Sequence, residues 1–69
     1  MAVFTSSAFA LRKKMILEAL KKSGAVTIET AKTLSDAGLE NPTQFREYTE
    51  RLVTMNVIHR TKDGRYYAD

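Results

Sequence analysis

The absence of cysteine is the strongest constraint on a chain of only 69 residues. Neither a disulfide framework nor a thiolate zinc site can hold such a chain together, so its fold depends chiefly on apolar packing. A core of this size lies close to the lower limit for independent folding and leaves little room for an enclosed cavity. We therefore predict a single domain over residues 1–69 that is not an enzyme and binds no cofactor. Residues 1–6 are expected to form a flexible N-terminal segment.

The composition is typical of a soluble globular protein. Hydrophobic residues make up 43% of the chain and charged residues 28%. The formal net charge of +3 permits a polyanionic partner without requiring one. No apolar run reaches the roughly 20 residues that a membrane-spanning helix needs, and none has the form of a secretory signal. The sequence predicts a soluble, cytoplasmic protein.

Two helices are predicted in the first half of the chain. The first begins at a serine cap, Ser6 or Ser7, and ends near Gly24, which accepts the left-handed conformation that follows a helix. The second begins at a Thr27 cap and ends at Gly38. Apolar residues at helical spacing give each helix a core-facing side: Phe9, Ile16 and Leu20 in the first, Ile28, Ala31 and Leu34 in the second.

A third helix has the clearest start signal. Asn41 is a favoured cap, Pro42 suits the first helical position, and Gln44 is placed as in a capping box. Asn56 can close this helix in a left-handed conformation. Its predicted apolar stripe consists of Phe45, Tyr48, Thr49, Leu52 and Val53.

The last segment predicts a β-hairpin, because two β-prone runs flank an Asp-Gly pair. A two-residue loop would place Ile58 on one face with Arg60, Arg65 and Tyr67. A three-residue loop ending in Gly64 would instead group Ile58 with Tyr66 and Ala68, which buries more apolar surface. We favour the second register because it also puts glycine at the left-handed loop position.

The order of these elements resembles the winged helix-turn-helix superfamily over roughly residues 7–68. The stretch Leu52-Val53-Thr54-Met55-Asn56-Val57-Ile58-His59-Arg60, with Gly64-Arg65-Tyr66 after it, carries the resemblance. It implies a mainly α fold of three helices with a C-terminal two-stranded wing. It also implies a small DNA-binding transcriptional regulator whose third helix enters the major groove while the wing meets the backbone.

The resemblance places the DNA-contacting residues on the outer face of the third helix and in the wing. Arginine can pair with guanine, glutamine with adenine, and glutamate can accept from cytosine, whereas wing cations would meet phosphates. The expected set is Thr43, Gln44, Arg46, Glu47, Arg51, Arg60, Lys62 and Arg65. The third helix is electrically neutral overall, and Glu47 and Glu50 lie on its outer face. These acidic residues favour the alternative, a protein–protein interaction module or assembly adaptor in a nucleic-acid machine.

The first helix leaves two questions open. Leu11 and Met15 form a second apolar patch, which could pack under the rest of the domain or could join two copies in a homodimer. The cations of this helix scatter around the helical wheel, which favours a solubilising role. A lone histidine, His59, without cysteine does not predict a metal site.

Overall fold

The computed structural model describes residues 7–69, and this part of the chain is mainly helical. It contains two α-helices, α1 (Ser7–Lys22) and α2 (Arg46–Thr54), and a 3-10 turn, Ile28–Thr30, between them. Two short antiparallel strands, β1 (His59–Arg60) and β2 (Tyr66–Tyr67), form a hairpin after α2. No helix among these residues is long and apolar enough to cross a bilayer.

Helix α1 confirms the first predicted helix. Gly24 follows it with φ +83°; the N–H of Ala25 donates to the carbonyl of Leu20 at 2.8 Å, and the N–H of Gly24 donates to the carbonyl of Lys21 at 3.2 Å. These bonds form a Schellman ending, which needs the left-handed residue that glycine supplies. Ile16 and Leu20 are fully buried, as their spacing predicts. The Ser6 cap and the expected flexible segment, residues 1–6, lie outside the described residues.

The second predicted helix is wrong, and with it the prediction of three helices. Thr27 does cap a helical element, but that element is only the 3-10 turn. The chain is extended at Lys32, whose N–H and C=O both pair with the backbone of Tyr66, at 3.0 and 2.7 Å. A residue that gives both backbone groups to a strand cannot also continue a helix.

A single helical turn stands at the end of the predicted second helix. The Thr33 side chain accepts a hydrogen bond from the N–H of Asp36 at 3.0 Å, which caps the turn at its start. Gly38, with φ +91°, ends the turn, and Leu39 folds back so that its N–H donates to the carbonyl of Leu34 at 3.0 Å. The predicted stop at Gly38 is therefore confirmed, although the helix before it is reduced to one turn.

The third predicted helix begins four residues later than its cap signals indicate. Asn41 and Phe45 both adopt positive φ values, +52° and +57°, so the segment between them is a turn. The carbonyl of Gln44 would accept the N–H of Tyr48 in a continuous helix, but it accepts a guanidinium N–H of Arg12 at 3.0 Å instead. The predicted start at Pro42 and the capping role of Gln44 are wrong for this reason. The predicted end is confirmed, because Asn56 closes α2 with φ +62°.

The hairpin has the predicted register. His59 lies opposite Tyr67 and Arg60 opposite Tyr66, which leaves a three-residue loop, 62–64. Gly64 occupies the left-handed position with φ +84°. Ile58 and Ala68 are buried, as that register predicts.

One apolar core joins α1, α2, the helical turn and the hairpin. Its four largest fully buried side chains are Ile16 and Leu20 of α1, Leu52 of α2, and Ile58 at the start of the hairpin. Ala25, Leu34, Leu39 and Ala68 complete the buried cluster. The core therefore fixes the hairpin beside α2, and this placement creates the surface described next.

Candidate nucleic-acid interface

An open groove of about 470 Å³ lies where the start of α2 meets the helical turn and the hairpin. Its walls come from three parts of the chain that are distant in sequence. They consist of Thr33, Leu34 and Ser35, of Pro42, Thr43, Arg46, Thr49 and Glu50, and of Arg60 and Tyr66. The groove is thus shared by α2 and the hairpin, the two elements that the resemblance assigns to DNA.

An ion pair joins the hairpin to α2 along this groove. Nη1 of Arg60 donates to Oε2 of Glu50 at 2.5 Å, and the guanidinium lies 6.0 Å from the centre of the Tyr66 ring. The hydrogen bond from Arg60 lowers the pKa of Glu50, and the same bond raises the pKa of Arg60. Both groups therefore stay charged at neutral pH and largely cancel each other's field. Their pairing sets the position of the hairpin more than it contributes net charge.

Arg46 lines the groove and forms no direct ion pair among the described residues, although its nearby charge helps to lower the pKa of Glu50. It occupies the first position of α2, where the backbone N–H groups of a helix start also favour anions. Thr49 lies one turn further on and is 4% exposed. Its hydroxyl has no hydrogen-bond partner in the described part of the chain. Because this hydroxyl is buried, the group that the groove offers to a ligand rich in oxygen is the Arg46 guanidinium.

The hairpin loop presents two more cations. Lys62 is exposed at the loop, and Nε of Arg65 lies 3.1 Å from Oδ2 of Asp63. The Thr61 hydroxyl donates to Asp63, and this bond, with the nearby charge of Arg65, lowers the pKa of the Asp63 carboxyl. Asp63 therefore offsets part of the charge of Arg65, while Lys62 has no such partner among the residues described.

The structure brings together only part of the predicted site. Thr43, Arg46 and Arg60 share the groove, and Glu47 is exposed in the first turn of α2. Gln44 faces a different groove, next to Leu11 and Met15 of α1. Arg51 packs its guanidinium 5.4 Å from the ring centre of Phe9. Lys62 and Arg65 lie at the hairpin loop and do not line this groove.

Sequence reasoning missed the helical turn as a wall of the groove. The predicted second helix places Thr33 and Ser35 in its interior, so the sequence does not single them out as contact residues. The sequence does carry a signal, because Thr33 is followed by Asp36 at the spacing of a local cap. That spacing indicates that a new helical turn starts at Thr33.

Among the described residues, His59 contacts Asp69 and Tyr67. Its Nε2 lies 3.2 Å from Oδ1 of Asp69, and its ring centre lies 4.9 Å from that of Tyr67, its cross-strand neighbour. No group of three histidine, cysteine or acidic side chains within residues 7–69 is arranged to hold a metal ion.

Comparison with protein families, with curated proteins and with solved structures finds no match to this chain. A function for the groove must therefore be argued from its geometry and charge. The features that bear on it are one unpaired arginine at the start of α2, a neutral ion pair that holds the hairpin, and exposed cations at the hairpin loop.

Proposed function

We propose that the protein is a cytoplasmic DNA-binding regulator of transcription that places the start of α2 in the major groove and the hairpin on the phosphate backbone. The observation that carries this proposal is the groove itself, which joins Arg46 of α2 to Arg60 of the hairpin. A helix that presents its first turn beside a basic hairpin matches the docking geometry of winged helices. Duplex DNA supplies both base edges for Arg46 and phosphates for the hairpin loop.

We infer that the fold is a reduced winged helix, and two features support this inference. The helical turn that Thr33 caps and Gly38 ends takes the place of the second helix. The bridge between Lys32 and Tyr66 adds a third backbone segment beside the hairpin. In this arrangement Thr33 and Ser35 are further contact residues, since their hydroxyls can donate to phosphate oxygens.

The balance of charge predicts modest affinity. Glu50 is neutralised by Arg60, so it does not repel the backbone, but Arg60 is also unavailable as a free cation. Arg46 and Lys62 are then the principal contact cations, with Arg65 shared with Asp63. Few phosphate contacts mean a shallow salt dependence, because each neutralised phosphate adds roughly one to the slope of log affinity against log salt.

Removing the two loop cations tests the role of the hairpin. In Lys62→Ala with Arg65→Ala, binding to all duplexes should weaken to a similar extent, and the salt slope should fall by roughly one to two. Fluorescence anisotropy of labelled duplexes across a salt series measures both quantities. An unchanged slope would show that the hairpin does not contact phosphates.

Arg46→Ala tests base reading by α2. A lost bidentate contact to guanine costs about 1–3 kcal/mol at its own base pair and much less on other sequences. Binding to a duplex obtained by in vitro selection should therefore weaken far more than binding to random duplex. Met55→Ala is the control, because Met55 is exposed at the end of α2 and does not line the groove. Equal loss on both kinds of duplex for Arg46→Ala would contradict base reading.

The acidic residues of α2 favour a second candidate function, that of a protein–protein module or assembly adaptor. Glu47 is exposed in the first turn of α2 and has no basic partner among the described residues. A partner protein with a basic surface would accept it, whereas a phosphate backbone would not. This function predicts no duplex binding even at low salt, so the same anisotropy series separates the two candidates.

We also propose that two copies pair through Leu11 and Met15. Leu11 is 60% exposed on α1 and Phe45 beside it is 47% exposed, whereas Met15 is half-buried and packs partly against the core. Covering this patch in a symmetric dimer would remove apolar surface from water and present two α2 helices to two half-sites.

Leu11→Asp tests this pairing. The variant should be a monomer in sedimentation equilibrium with unchanged helicity by circular dichroism, while the control Glu18→Asp stays dimeric. A monomeric wild-type chain at every concentration would overturn the pairing.

A further inference from the structure

The lysines of α1 form a surface that the sequence alone does not reveal. Arg12 turns inward to bind backbone carbonyls, so it leaves the set of exposed cations. The four lysines of α1 all border one shallow groove of about 450 Å³ on the outside of the helix. We call this surface the lysine face; it consists of Ala10, Lys13, Lys14, Leu17, Lys21 and Lys22, with Glu18 among them.

The lysine face has an uncompensated charge. Its four lysines and Glu18 give a net charge of +3, and none of the five forms an ion pair with another described residue. By contrast, Arg60 in the α2 groove and Arg65 at the hairpin loop are both paired with carboxylates. The lysine face is therefore the larger source of free positive charge in the described part of the protein.

The floor of the lysine face is apolar. Ala10, Lys14, Leu17 and Lys21 follow one another at intervals of four, three and four residues, so they form one stripe along α1, the spacing at which side chains meet a partner helix. Leu17 is half-buried against the core, and the methylene stems of Lys14 and Lys21 extend the apolar floor while their ammonium groups reach solvent. These ammonium groups then select a partner helix of opposite sign.

We propose that the lysine face docks an acidic amphipathic helix of a partner protein, with leucine-like side chains against Ala10 and Leu17 and glutamates against the lysines. Duplex DNA fits this surface less well. An apolar floor gives nothing to a phosphate, and Glu18 would repel one. The face also has no arginine and no aromatic side chain, the groups that hydrogen-bond or stack on bases.

This surface is separate from the groove proposed for DNA. The two share no lining residue. Leu17 points about 100° around the helix from Ile16, whose side chain faces the core toward α2. The docked helix would therefore leave the start of α2 and the hairpin free, so one molecule can bind both partners.

A synthetic helical peptide tests the proposal directly. The probe has about three heptads, with leucine at the a and d positions and glutamate at e and g, and the full chain is titrated into it by fluorescence anisotropy. We expect binding by the wild-type chain and roughly tenfold or greater weakening in Lys14→Glu with Lys21→Glu. Ala10→Glu, which puts a carboxylate on the apolar floor without touching the core, should weaken binding as well. A peptide with lysine in place of each glutamate should not bind.

The matched control is Lys62→Glu with Arg65→Glu, which changes the net charge by the same amount at the hairpin loop. It should bind the peptide like the wild-type chain while losing duplex DNA, and circular dichroism verifies that both double variants keep their helicity. Peptide binding that survives Lys14→Glu with Lys21→Glu, or fails in the wild-type chain, would overturn the proposal. So would equal loss of duplex binding in the two double variants, because the lysine face would then serve the nucleic acid.

Discussion

Replacing Leu52 by alanine is expected to unfold much of the domain. Leu52 is fully buried at the centre of α2 and belongs to the same cluster as Ile16, Leu20 and Ile58. Truncation of a buried leucine costs about 2–5 kcal/mol, since apolar contacts are lost and a cavity remains. A folded chain of this length has only about 3–10 kcal/mol of stability in total. The variant should therefore show a large fall in the urea midpoint by circular dichroism.

Met55→Ala is the control for this prediction. Met55 caps the end of α2 and is 51% exposed, so its truncation should change the free energy of unfolding by less than about 0.5 kcal/mol. A Leu52→Ala variant as stable as Met55→Ala would contradict the position assigned to α2 in the core.

Replacing Arg12 by alanine should give the second largest loss of stability. Arg12 is 4% exposed, and its guanidinium donates to the carbonyls of Glu40, Asn41 and Gln44, at 3.3, 2.8 and 3.0 Å. Burial lowers the pKa of this group; its two Nη atoms bond these carbonyls, while its buried Nε has no partner among the described residues. We expect a loss of about 2–3 kcal/mol, because the variant leaves these carbonyls without their donor. Denaturant unfolding measures this loss.

The hydrogen bonds from Arg12 to the three carbonyls form a clamp on the segment 40–44. Arg12→Lys tests whether this clamp needs the guanidinium or only a positive charge. An ammonium is a point donor and cannot serve three carbonyls as the planar guanidinium does, so most of the loss should remain. Lys14→Ala, on an exposed position of the same helix, should leave stability within about 0.5 kcal/mol of the wild-type value. Full stability of Arg12→Lys would mean that the clamp contributes only its charge.

The clamp also links stability to the proposed site. Arg12 binds the segment 40–44, which precedes Phe45, the left-handed residue before α2. A bulky side chain in this conformation is strained unless its surroundings hold it. The Phe45 ring stacks on Tyr48 with centres 5.2 Å apart, and the Arg12 guanidinium lies 5.7 Å from the Phe45 ring centre. These contacts fix where α2 begins and hence where Arg46 lies.

The features that sequence reasoning predicted correctly depend on local signals. Three endings are marked by a residue in the left-handed conformation: Gly24 after α1, Gly38 after the helical turn and Asn56 after α2. Such an ending needs a left-handed residue whatever surrounds it. The hairpin register follows from Gly64 and from the alternation of Ile58 with its neighbours. Each of these signals is read within a few residues of the element that it ends.

The features that sequence reasoning missed depend on contacts between distant parts of the chain. Lys32 is extended because its backbone pairs with Tyr66, far along the sequence. The start of α2 is displaced because Arg12 takes a carbonyl that local cap signals assign to the helix. The same two contacts shape the candidate site: the spacing of Thr33 and Asp36 marks the start of the helical turn, but it does not place Thr33 and Ser35 beside α2. Arg46 and Arg60 can be assigned from the sequence, because the helical wheel of α2 and the register of the hairpin put them on outer faces.

Binding of the intact chain to a labelled random-sequence duplex is the most direct test of the DNA-binding proposal. Fluorescence anisotropy from low to moderate salt should show a dissociation constant of about 10⁻⁴–10⁻⁶ M that rises with salt, because counterions are released when the cations of α2 and the hairpin meet phosphates. Absence of binding even at low salt would contradict the proposal and would leave the protein-adaptor function as the account of the α2 groove.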